Sequence, residues 1–220
     1  LAVMPLGGGT RSSFGNPLTK LDLVIEMSRF TGIIEHNPND LTATVLAGTT
    51  ISFIQDAFGK HGQFVALDPP LPQKATLGGT LAVGLNGPQK WLYNNMRDAV
   101  IGMVVSQIDG KTTKSGGQVV KNVSGYDMSR LHIGALGTLG IISSVSLKLT
   151  PSPPETSTLV AKFANLEACI SAGLDIFRSD IIPLALTAIN KPAFKAMDQN
   201  IGKKTHCLAI LFGGRPKTME

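Results

Sequence analysis

A run of three glycines near the start of the chain is the first feature that could bind a ligand. Residues 5–17 read PLGGGTRSSFGNP, in which Gly7, Gly8 and Gly9 precede Thr10. Consecutive glycines cost backbone entropy and bury no side chain, so they do not suit a packed helix or strand. Their bare N–H groups can instead cradle phosphate oxygens, and nearby hydroxyls can add donors. The segment therefore predicts an anion-binding loop.

Three further glycine clusters occur at residues 78–79, 116–117 and 134–140. Each lies where a strand or turn meets another element, and any one of them alone is more typical of a tight turn than of a site. Four clusters with small and hydroxyl residues beside them favour one large, extended, anionic ligand. The loop at 7–9 is not a P-loop, because no Lys-Ser/Thr follows it. It is not the strand–helix dinucleotide fingerprint either, because it continues into polar residues and Asn16-Pro17.

No pattern in the sequence supplies a catalytic group or a metal site. There are no paired carboxylates, no His or Cys in the context of a nucleophile, and no cluster with metal-ligand spacing. Cys169 and Cys207 are far apart in the sequence, which favours reduced thiols in the core of a cytoplasmic protein. The catalytic residues are left unassigned, and no metal is predicted.

The composition indicates a folded chain that binds neither nucleic acid nor a bilayer. Of its 220 residues, 43% are hydrophobic and 16% are charged, which is enough to bury a sizeable core. The net charge of +5 comes from singly scattered basic residues, without the Lys/Arg runs typical of nucleic-acid or anionic-lipid binding. No apolar run approaches the roughly 18 residues of a membrane span. We therefore expect a cytoplasmic protein with a mildly basic surface and no transmembrane segment.

Hydrophobic periodicity predicts short alternating elements in the first 149 residues. The first six residues, LAVMPL, indicate the end of a strand that runs into the glycine loop, so we expect the first elements of this domain to be missing. Further strands are predicted at 21–26, 33–36, 42–47, 98–108 and 141–149, with a hairpin turn at Asp109-Gly110. Helices are predicted at 50–60, from Gly78 onward and in the middle of 119–137.

A proline-rich segment at 150–155 (TPSPPE) predicts a linker. Beyond it the pattern reads strand, helix, strand, helix, strand, at 158–163, 165–178, 183–189, 191–200 and 206–212. This order suggests a second α+β domain.

Three separated segments together resemble a known family. They are PLGGGTRSSFGNP, then DPPLPQKATLGGTLAVGLNGPQKWLYNNMRDAVIG, then GGQVVKNVSGYDMSRLHIGALGTLGIISSVSLKLTPSPP. In this order they are similar to the FAD-binding (PCMH-type) domain of the vanillyl-alcohol oxidase / p-cresol methylhydroxylase superfamily, and most similar to the FAD-binding subunits of glycolate oxidases. The similarity covers residues 1 to about 154.

The resemblance implies an α+β fold, in which a two-subdomain FAD-binding domain of PCMH type is followed by the start of an α+β cap domain. The FAD-binding domain is expected at 1–153, with subdomains at about 1–68 and 69–153. The cap or substrate domain is expected to begin at 154 and to be truncated at 220.

The resemblance also implies which residues hold the cofactor. The glycine loop matches the family's pyrophosphate loop, the second segment follows the flavin, and the third runs past the ends of the dinucleotide. The expected FAD-binding residues are Gly7, Gly8, Gly9, Thr10, Arg11, Asn16, Pro69, Thr76, Gly78, Gly79, Ala82, Gly134, Gly137, Thr138, Gly140, Ile141 and Ile142.

Covalent members of the family carry a His in the glycine loop, where this chain has Thr10, so the resemblance implies non-covalent FAD. Lys121 and Tyr126 either approach the cofactor or serve packing, with Asp127 and Arg130 as a surface ion pair on a helix. Trp91 is expected to be a core or interface anchor.

The function implied is that of an FAD-dependent oxidoreductase, a subunit of a glycolate oxidase-like 2-hydroxy-acid dehydrogenase complex. Its partners would be a larger catalytic flavoprotein subunit, an iron–sulfur subunit and a small 2-hydroxy-acid substrate, with the complex peripheral to the inner membrane. The main alternative is an accessory electron-transfer or structural subunit that binds FAD without substrate chemistry of its own. A cell-wall enolpyruvyl reductase and a nucleotide-binding module without redox function are further alternatives.

Overall fold

The computed structural model describes residues 1–117, 127–197 and 206–215. The described strands are β1 (Val3–Leu6), β2 (Leu23–Glu26), β3 (Ile33–Asn37), β4 (Thr42–Leu46), β5 (Gln63–Phe64), β6 (Val100–Ser106), β7 (Thr112–Gly116), β8 (Ile141–Lys148), β9 (Thr150–Pro151), β10 (Glu155–Phe163), β11 (Ala185–Ile189) and β12 (His206–Gly214). The described α-helices are α1 (Ile51–Gly59), α2 (Leu77–Val83), α3 (Lys90–Tyr93), α4 (Met96–Ala99), α5 (Ser129–His132), α6 (Leu166–Arg178) and α7 (Lys191–Met197).

The chain divides into two compact units. The first unit comprises Leu1–Gly87 and Asn95–Ser152, and the second comprises Pro88–Asn94 and Pro153–Glu220. The short segment that contains α3 therefore belongs to the second unit, although it interrupts the first in sequence.

The largest sheet of the first unit has five antiparallel strands in the order β3-β4-β8-β6-β7. Strand β8 occupies its centre and pairs with β4 on one side and β6 on the other. Central strands are buried on at least one face, and Val145 and Leu147 of β8 are fully buried. This sheet thus joins an early part of the chain to a late one.

The core of the first unit lies between this sheet and helices α1 and α2. Helix α1 begins at its cap residue Thr50, whose hydroxyl accepts a hydrogen bond from the Phe53 amide at 3.4 Å. Its apolar stripe, Ile51, Ile54 and Phe58, is fully buried at helical spacing. Leu77 and Leu81 of α2 are buried in the same cluster, so α2 is fixed firmly against the sheet.

A two-stranded parallel sheet, β1-β2, leads into the glycine loop. The Met27 amide donates to the Leu6 carbonyl at 2.8 Å, which holds the end of β1 beside the end of β2. The chain leaves β1 directly at Gly7, so this sheet positions the start of the loop.

The second unit contains a three-stranded antiparallel sheet in the order β10-β12-β11. Helix α6 packs on it and buries Cys169 against Leu208 and Ile210. The Asn165 side chain caps α6 by accepting from the Ala168 amide at 2.8 Å.

The structure confirms the α+β fold class and most of the predicted elements. The predicted 50–60 helix is α1, the Gly78-Gly79 pair lies in the first turn of α2, and Asp109-Gly110 turns β6 into β7. The sequence predicts a helix in the middle of 119–137, but residues 118–126 lie outside the described residues. Within 127–137, the four residues of α5 are helical.

The domain boundaries and the two subdomains that divide near residue 68 stay a prediction. Strands of the five-stranded sheet come from both sides of residue 68, since β3 and β4 precede it and β6, β7 and β8 follow it.

Candidate functional site

A cavity of about 550 Å³ lies within the first unit. That volume falls in the range usual for small-molecule and cofactor sites. Three sequence segments form most of its wall: residues 4–20, residues 69–85 and residues 136–142. Met27 and Ala47 complete it. Segments that lie far apart in the sequence therefore meet around one space.

The glycine loop forms one wall of the cavity through bare backbone. Among the described residues, no hydrogen-bond partner is found for the amides of Gly7, Gly8, Gly9 and Thr10. A Cβ atom on Gly7 would overlap the Thr76 hydroxyl, and one on Gly8 would overlap the Lys74 carbonyl oxygen. The loop thus packs tightly against the second segment while its amides stay available to a ligand.

Gly9 differs from the two glycines before it. Its φ of +66° lies in the left-handed region, and a Cβ there would have no heavy atom within 4 Å. The glycine is required here by backbone conformation rather than by a close neighbour. This conformation turns the chain toward Thr10 and Arg11, both of which line the cavity.

The second wall is the small-residue surface of α2. Thr76 caps the helix by accepting from the Gly79 amide at 3.3 Å. Gly78 donates its amide to the Ala47 carbonyl at 2.8 Å, and a Cβ on it would lie 2.8 Å from the Ala47 Cβ. Together with Ala82, these residues leave room for a flat group to approach the helix backbone.

The third wall precedes and begins β8. The Leu136 amide donates to the Ala82 carbonyl at 2.8 Å, which ties this segment to α2. A Cβ on Gly137 would lie 2.9 Å from Cγ of Pro5, and one on Gly140 would lie 2.7 Å from Cγ1 of Val105. Close backbone approach therefore closes the cavity on this side.

The charges that line the cavity are positive. Arg11 and Lys20 are the ionisable side chains among the described residues that line it, and no carboxylate is among them. Lys20 is paired with Asp22 at 3.4 Å, whereas Arg11 makes no ion pair with any described residue. A wall of unused amides and an unpaired guanidinium is complementary to an anion.

The structure brings nearly all of the predicted cofactor residues together. Every residue in that set lines the cavity except Gly134. Gly134 instead donates its amide to the Leu81 carbonyl at 3.0 Å, and a Cβ on Gly84 would lie 2.7 Å from the Cα of Gly134. That glycine serves the packing of the turn against the end of α2. The cofactor contacts themselves remain a prediction.

The expectation that all four glycine clusters meet at one ligand is corrected in one respect. The pair at 116–117 does not line the cavity. A Cβ on Gly116 would overlap the Ile101 carbonyl oxygen, and one on Gly102 would lie 2.7 Å from the Gly117 amide nitrogen. These glycines allow β6 and β7 to approach each other closely.

Sequence reasoning also missed part of the wall. The additional lining residues are largely apolar. Leu6, Leu85 and Leu136 lie within the three family-like segments, whereas Met4, Met27 and Ala47 lie outside them and carry no recognisable motif. Thr80, on α2, was missed as well. Its spacing of four residues from Thr76 on a helix was the available signal, because such residues share a face.

Several other polar and aromatic residues have structural roles. Asp127 and Arg130 form the expected ion pair at 2.8 Å, and Trp91 packs edge-on against Phe177 with 5.4 Å between ring centroids. Asp98 accepts from the Asn95 amide at 3.1 Å in a capping box. Lys121 and Tyr126 lie outside the described residues.

Buried titratable groups lie away from the cavity. Burial lowers the pKa of His132, because desolvation disfavours the charged imidazolium. Burial also raises the pKa of the Cys169 thiol, with a smaller contribution from the charge of the Cys207 thiolate. Neither His132 nor either cysteine lines the cavity.

The cavity fits FAD on three observations. The amides of the glycine loop are free to receive a diphosphate, glycine and alanine leave space along α2, and only cationic side chains contribute charge. The cavity wall also contains Thr80, whose buried Oγ1 has no hydrogen-bond partner among the described residues.

Comparison with known proteins identifies the family of the chain. The fold and cavity define a dinucleotide-binding α+β domain, and residues 1–116, more than half of the chain, match the family described as an FAD binding domain. The chain belongs to this family, whose cofactor is FAD.

Individual relatives are glycolate oxidase subunits and dehydrogenases by name. The chain is 33% identical to the glycolate oxidase subunit GlcD of Bacillus subtilis, over 95% of this chain and 45% of that protein. It is 35% identical to the glycolate oxidase subunit GlcE of Escherichia coli, over 74% of this chain and 46% of that protein. It is 29% identical to a D-lactate dehydrogenase of Archaeoglobus fulgidus, over 93% of this chain and 45% of that protein. The chain thus spans about half the length of these relatives.

A solved structure shares the fold. An alkyldihydroxyacetonephosphate synthase matches 98% of this chain and 43% of its own, with a TM-score of 0.77 and 20% identity. At that identity the likeness establishes architecture only.

In the part of the chain that the structure describes, no helix is both long and apolar enough to cross a membrane.

Proposed function

We propose that this chain binds FAD in the cavity of its first unit and is part of an FAD-dependent oxidoreductase that acts on a small 2-hydroxy acid. The observation that carries the proposal is the meeting of residues 4–20, 69–85 and 136–142 around one cationic cavity in a chain of the FAD-binding family. The names of the relatives, glycolate oxidase subunits and a D-lactate dehydrogenase, supply the substrate class.

Each wall would perform a different part of the binding. The amides of Gly7 to Thr10 would donate hydrogen bonds to the diphosphate, and the Arg11 guanidinium would balance its charge. Gly78, Gly79 and Ala82 would let the ring system lie against the backbone of α2. Residues 137–142 would close the remaining side and exclude water.

When bound, FAD supplies the redox chemistry by accepting a hydride equivalent from the α-carbon of the acid. The chain supplies binding, orientation and a positive field that favours the reduced, more negative state of a ligand placed there. Catalytic residues are not assigned.

We propose that the FAD is held non-covalently. No His, Cys or Tyr is found among the described residues that line the cavity, and Thr10 follows the three glycines. Precipitating the yellow protein with acid should release the flavin into the supernatant. Flavin that stays with the pellet would contradict this part of the proposal.

We also propose that residues from 154 onward begin a cap domain, and that the protein works with a larger flavoprotein subunit and an iron–sulfur subunit. The division of the chain near Ser152 and Pro153 supports the first point. The subunit names of two relatives support a multi-subunit enzyme. Co-purification of the tagged full-length protein from its own host, followed by iron analysis, would test the partners.

The activity is tested by anaerobic mixing of the FAD-loaded protein with glycolate, D-lactate and D-2-hydroxyglutarate. Loss of the visible flavin absorbance with one of these acids is expected, and dithionite serves as the positive control for a reducible flavin. A flavin that dithionite reduces but none of the acids reduces, with or without the partner subunits, would favour the accessory FAD-binding subunit instead.

A further inference from the structure

Thr80 carries the one buried side-chain hydroxyl around the cavity that lacks a hydrogen-bond partner among the described residues. The residue is only 9% exposed and lines the cavity from helix α2. Its backbone is fully committed, since its amide donates to the Thr76 carbonyl at 2.9 Å and its carbonyl accepts from the Gly84 amide at 3.1 Å. Only the hydroxyl is unused.

An unused buried hydroxyl is unfavourable in the protein alone. Valine has nearly the same shape as threonine and would fill this position without an unsatisfied polar atom. Buried polar groups in folded proteins almost always have a partner, so one that lacks it calls for an explanation. Because Thr80 lines the cavity, a bound ligand can supply this partner.

We propose that the Thr80 hydroxyl hydrogen-bonds to bound FAD and is a further determinant of cofactor affinity. This inference rests on the proposed function, since it needs FAD in this cavity. The Oγ1 atom is enclosed in the observed rotamer, so the small exposed part of Thr80 belongs to its other atoms. Threonine in a helix populates two χ1 rotamers, and a χ1 rotation of about 120° moves the hydroxyl to the position that the methyl or the Cβ hydrogen now occupies. For the hydroxyl to meet FAD, it must turn in this way toward the cavity that Thr80 lines.

One competing partner lies within the chain. In one of its helical rotamers a threonine can donate to the carbonyl four residues earlier, which here is that of Thr76. A hydroxyl bonded in that way would stabilise the protein without FAD. The two explanations therefore predict opposite effects on the stability of the apo-protein.

The test compares Thr80→Val, which removes only the hydroxyl, with Thr80→Ser, which keeps it. The dissociation constant for FAD is measured by titrating flavin fluorescence, and the apo-protein's unfolding midpoint by circular dichroism. For Thr80→Val we expect FAD affinity about 2- to 13-fold weaker, the usual effect of losing one hydrogen bond. We expect its apo-protein midpoint to be unchanged or raised by up to about 4 °C. Thr80→Ser should stay within about twofold of wild type in affinity, because its hydrogen bond is retained.

Thr49→Val is the matched control. The Thr49 hydroxyl is buried outside the cavity, accepts from the Gly32 amide at 2.9 Å and lies 3.2 Å from the Gly32 carbonyl that it donates to. Its loss should lower the apo-protein midpoint and leave FAD affinity unchanged. Should Thr80→Val fail to fold, Thr80→Ala gives the same affinity comparison against Thr80→Ser.

Two results would overturn the inference while leaving the proposed function intact. One is Thr80→Val binding FAD as tightly as wild type. The other is Thr80→Val lowering the apo-protein midpoint as Thr49→Val does, which would assign the hydroxyl to the Thr76 carbonyl. Failure of the wild-type chain to bind FAD would instead remove both the proposed function and this inference.

Discussion

Replacing Gly8 with alanine tests the glycine loop most directly. The added Cβ would overlap the backbone carbonyl oxygen of Lys74, which cannot rotate away as a flexible side chain could. The loop must therefore move relative to the second segment. Such a shift draws the amides of Gly7 to Thr10 away from the positions in which they would meet a diphosphate.

The size of the effect follows from the bonds that are lost. A hydrogen bond to a charged group contributes about 1.5–3 kcal/mol. Losing two amide–phosphate bonds at the lower figure weakens binding by about 3 kcal/mol, or roughly 150-fold in the dissociation constant for FAD. Overlap in a packed region also lowers the free energy of unfolding by about 1–3 kcal/mol. The dissociation constant should therefore be measured by fluorescence titration well below the unfolding midpoint of the variant.

Alanine at two other glycines introduces backbone strain without steric overlap, which separates these two effects in Gly8→Ala. Gly9 and Gly62 have φ angles of +66° and +65°, and a Cβ on either would have no heavy atom within 4 Å. Alanine at these positions costs about 1–2 kcal/mol of backbone strain without a steric overlap. Only Gly9 lines the cavity, so Gly62→Ala reports the cost of strain on stability alone. FAD binding by Gly8→Ala within about threefold of the Gly62→Ala value would refute the assignment of this loop, because that difference is below 1 kcal/mol.

Three further predictions concern charge, pH and a helix cap. Arg11→Ala should weaken FAD binding about fivefold at low salt and less at high salt. Lys20→Ala should have a smaller effect, because it removes a cation that is already paired with Asp22. Titrations of FAD binding at two salt concentrations check both expectations. Burial lowers the pKa of His132, so the unfolded state binds the proton more tightly than the folded state does. The free energy of unfolding should therefore be highest above about pH 6.5 and should fall as the pH is lowered through the folded-state pKa. Urea denaturation across that range should show a shallower fall in His132→Gln. Asn165→Ala should lower the free energy of unfolding by about 1 kcal/mol through loss of the α6 cap, and Asn165→Asp should restore most of it in the same assay.

The local elements were predictable because their signals are local. Thr50 and the spacing of Ile51, Ile54 and Phe58 define α1 within ten residues of sequence, and the structure places the helix there. The Asp109-Gly110 turn defines its hairpin in the same way. Such features depend on neighbours in the chain and need no knowledge of the tertiary fold.

The cavity was predictable only where glycine motifs mark it. Met27 and Ala47 line it because β2 and β4 end beside it, and nothing in their own sequence neighbourhood indicates that. The pair at 116–117 carries the same kind of signal as the pair at 78–79, yet it serves the contact of β6 with β7. A glycine motif therefore indicates a close neighbour. Whether that neighbour is a ligand or another strand depends on the tertiary fold.

The glycines of the cavity wall have two functions, and both follow from close approach. Gly7 and Gly8 contact the segment before α2, Gly78 contacts Ala47, and Gly137 contacts Pro5, so these four glycines join three different pairs of segments. The same lack of a side chain leaves backbone groups of the glycine loop free for the ligand. Alanine at any of these four positions should therefore lower the stability of the apo-protein as well as FAD affinity, because the segments that form the cavity would be pushed apart. Since the wall is assembled by contacts that do not involve the ligand, we expect the cavity to be largely formed before FAD binds.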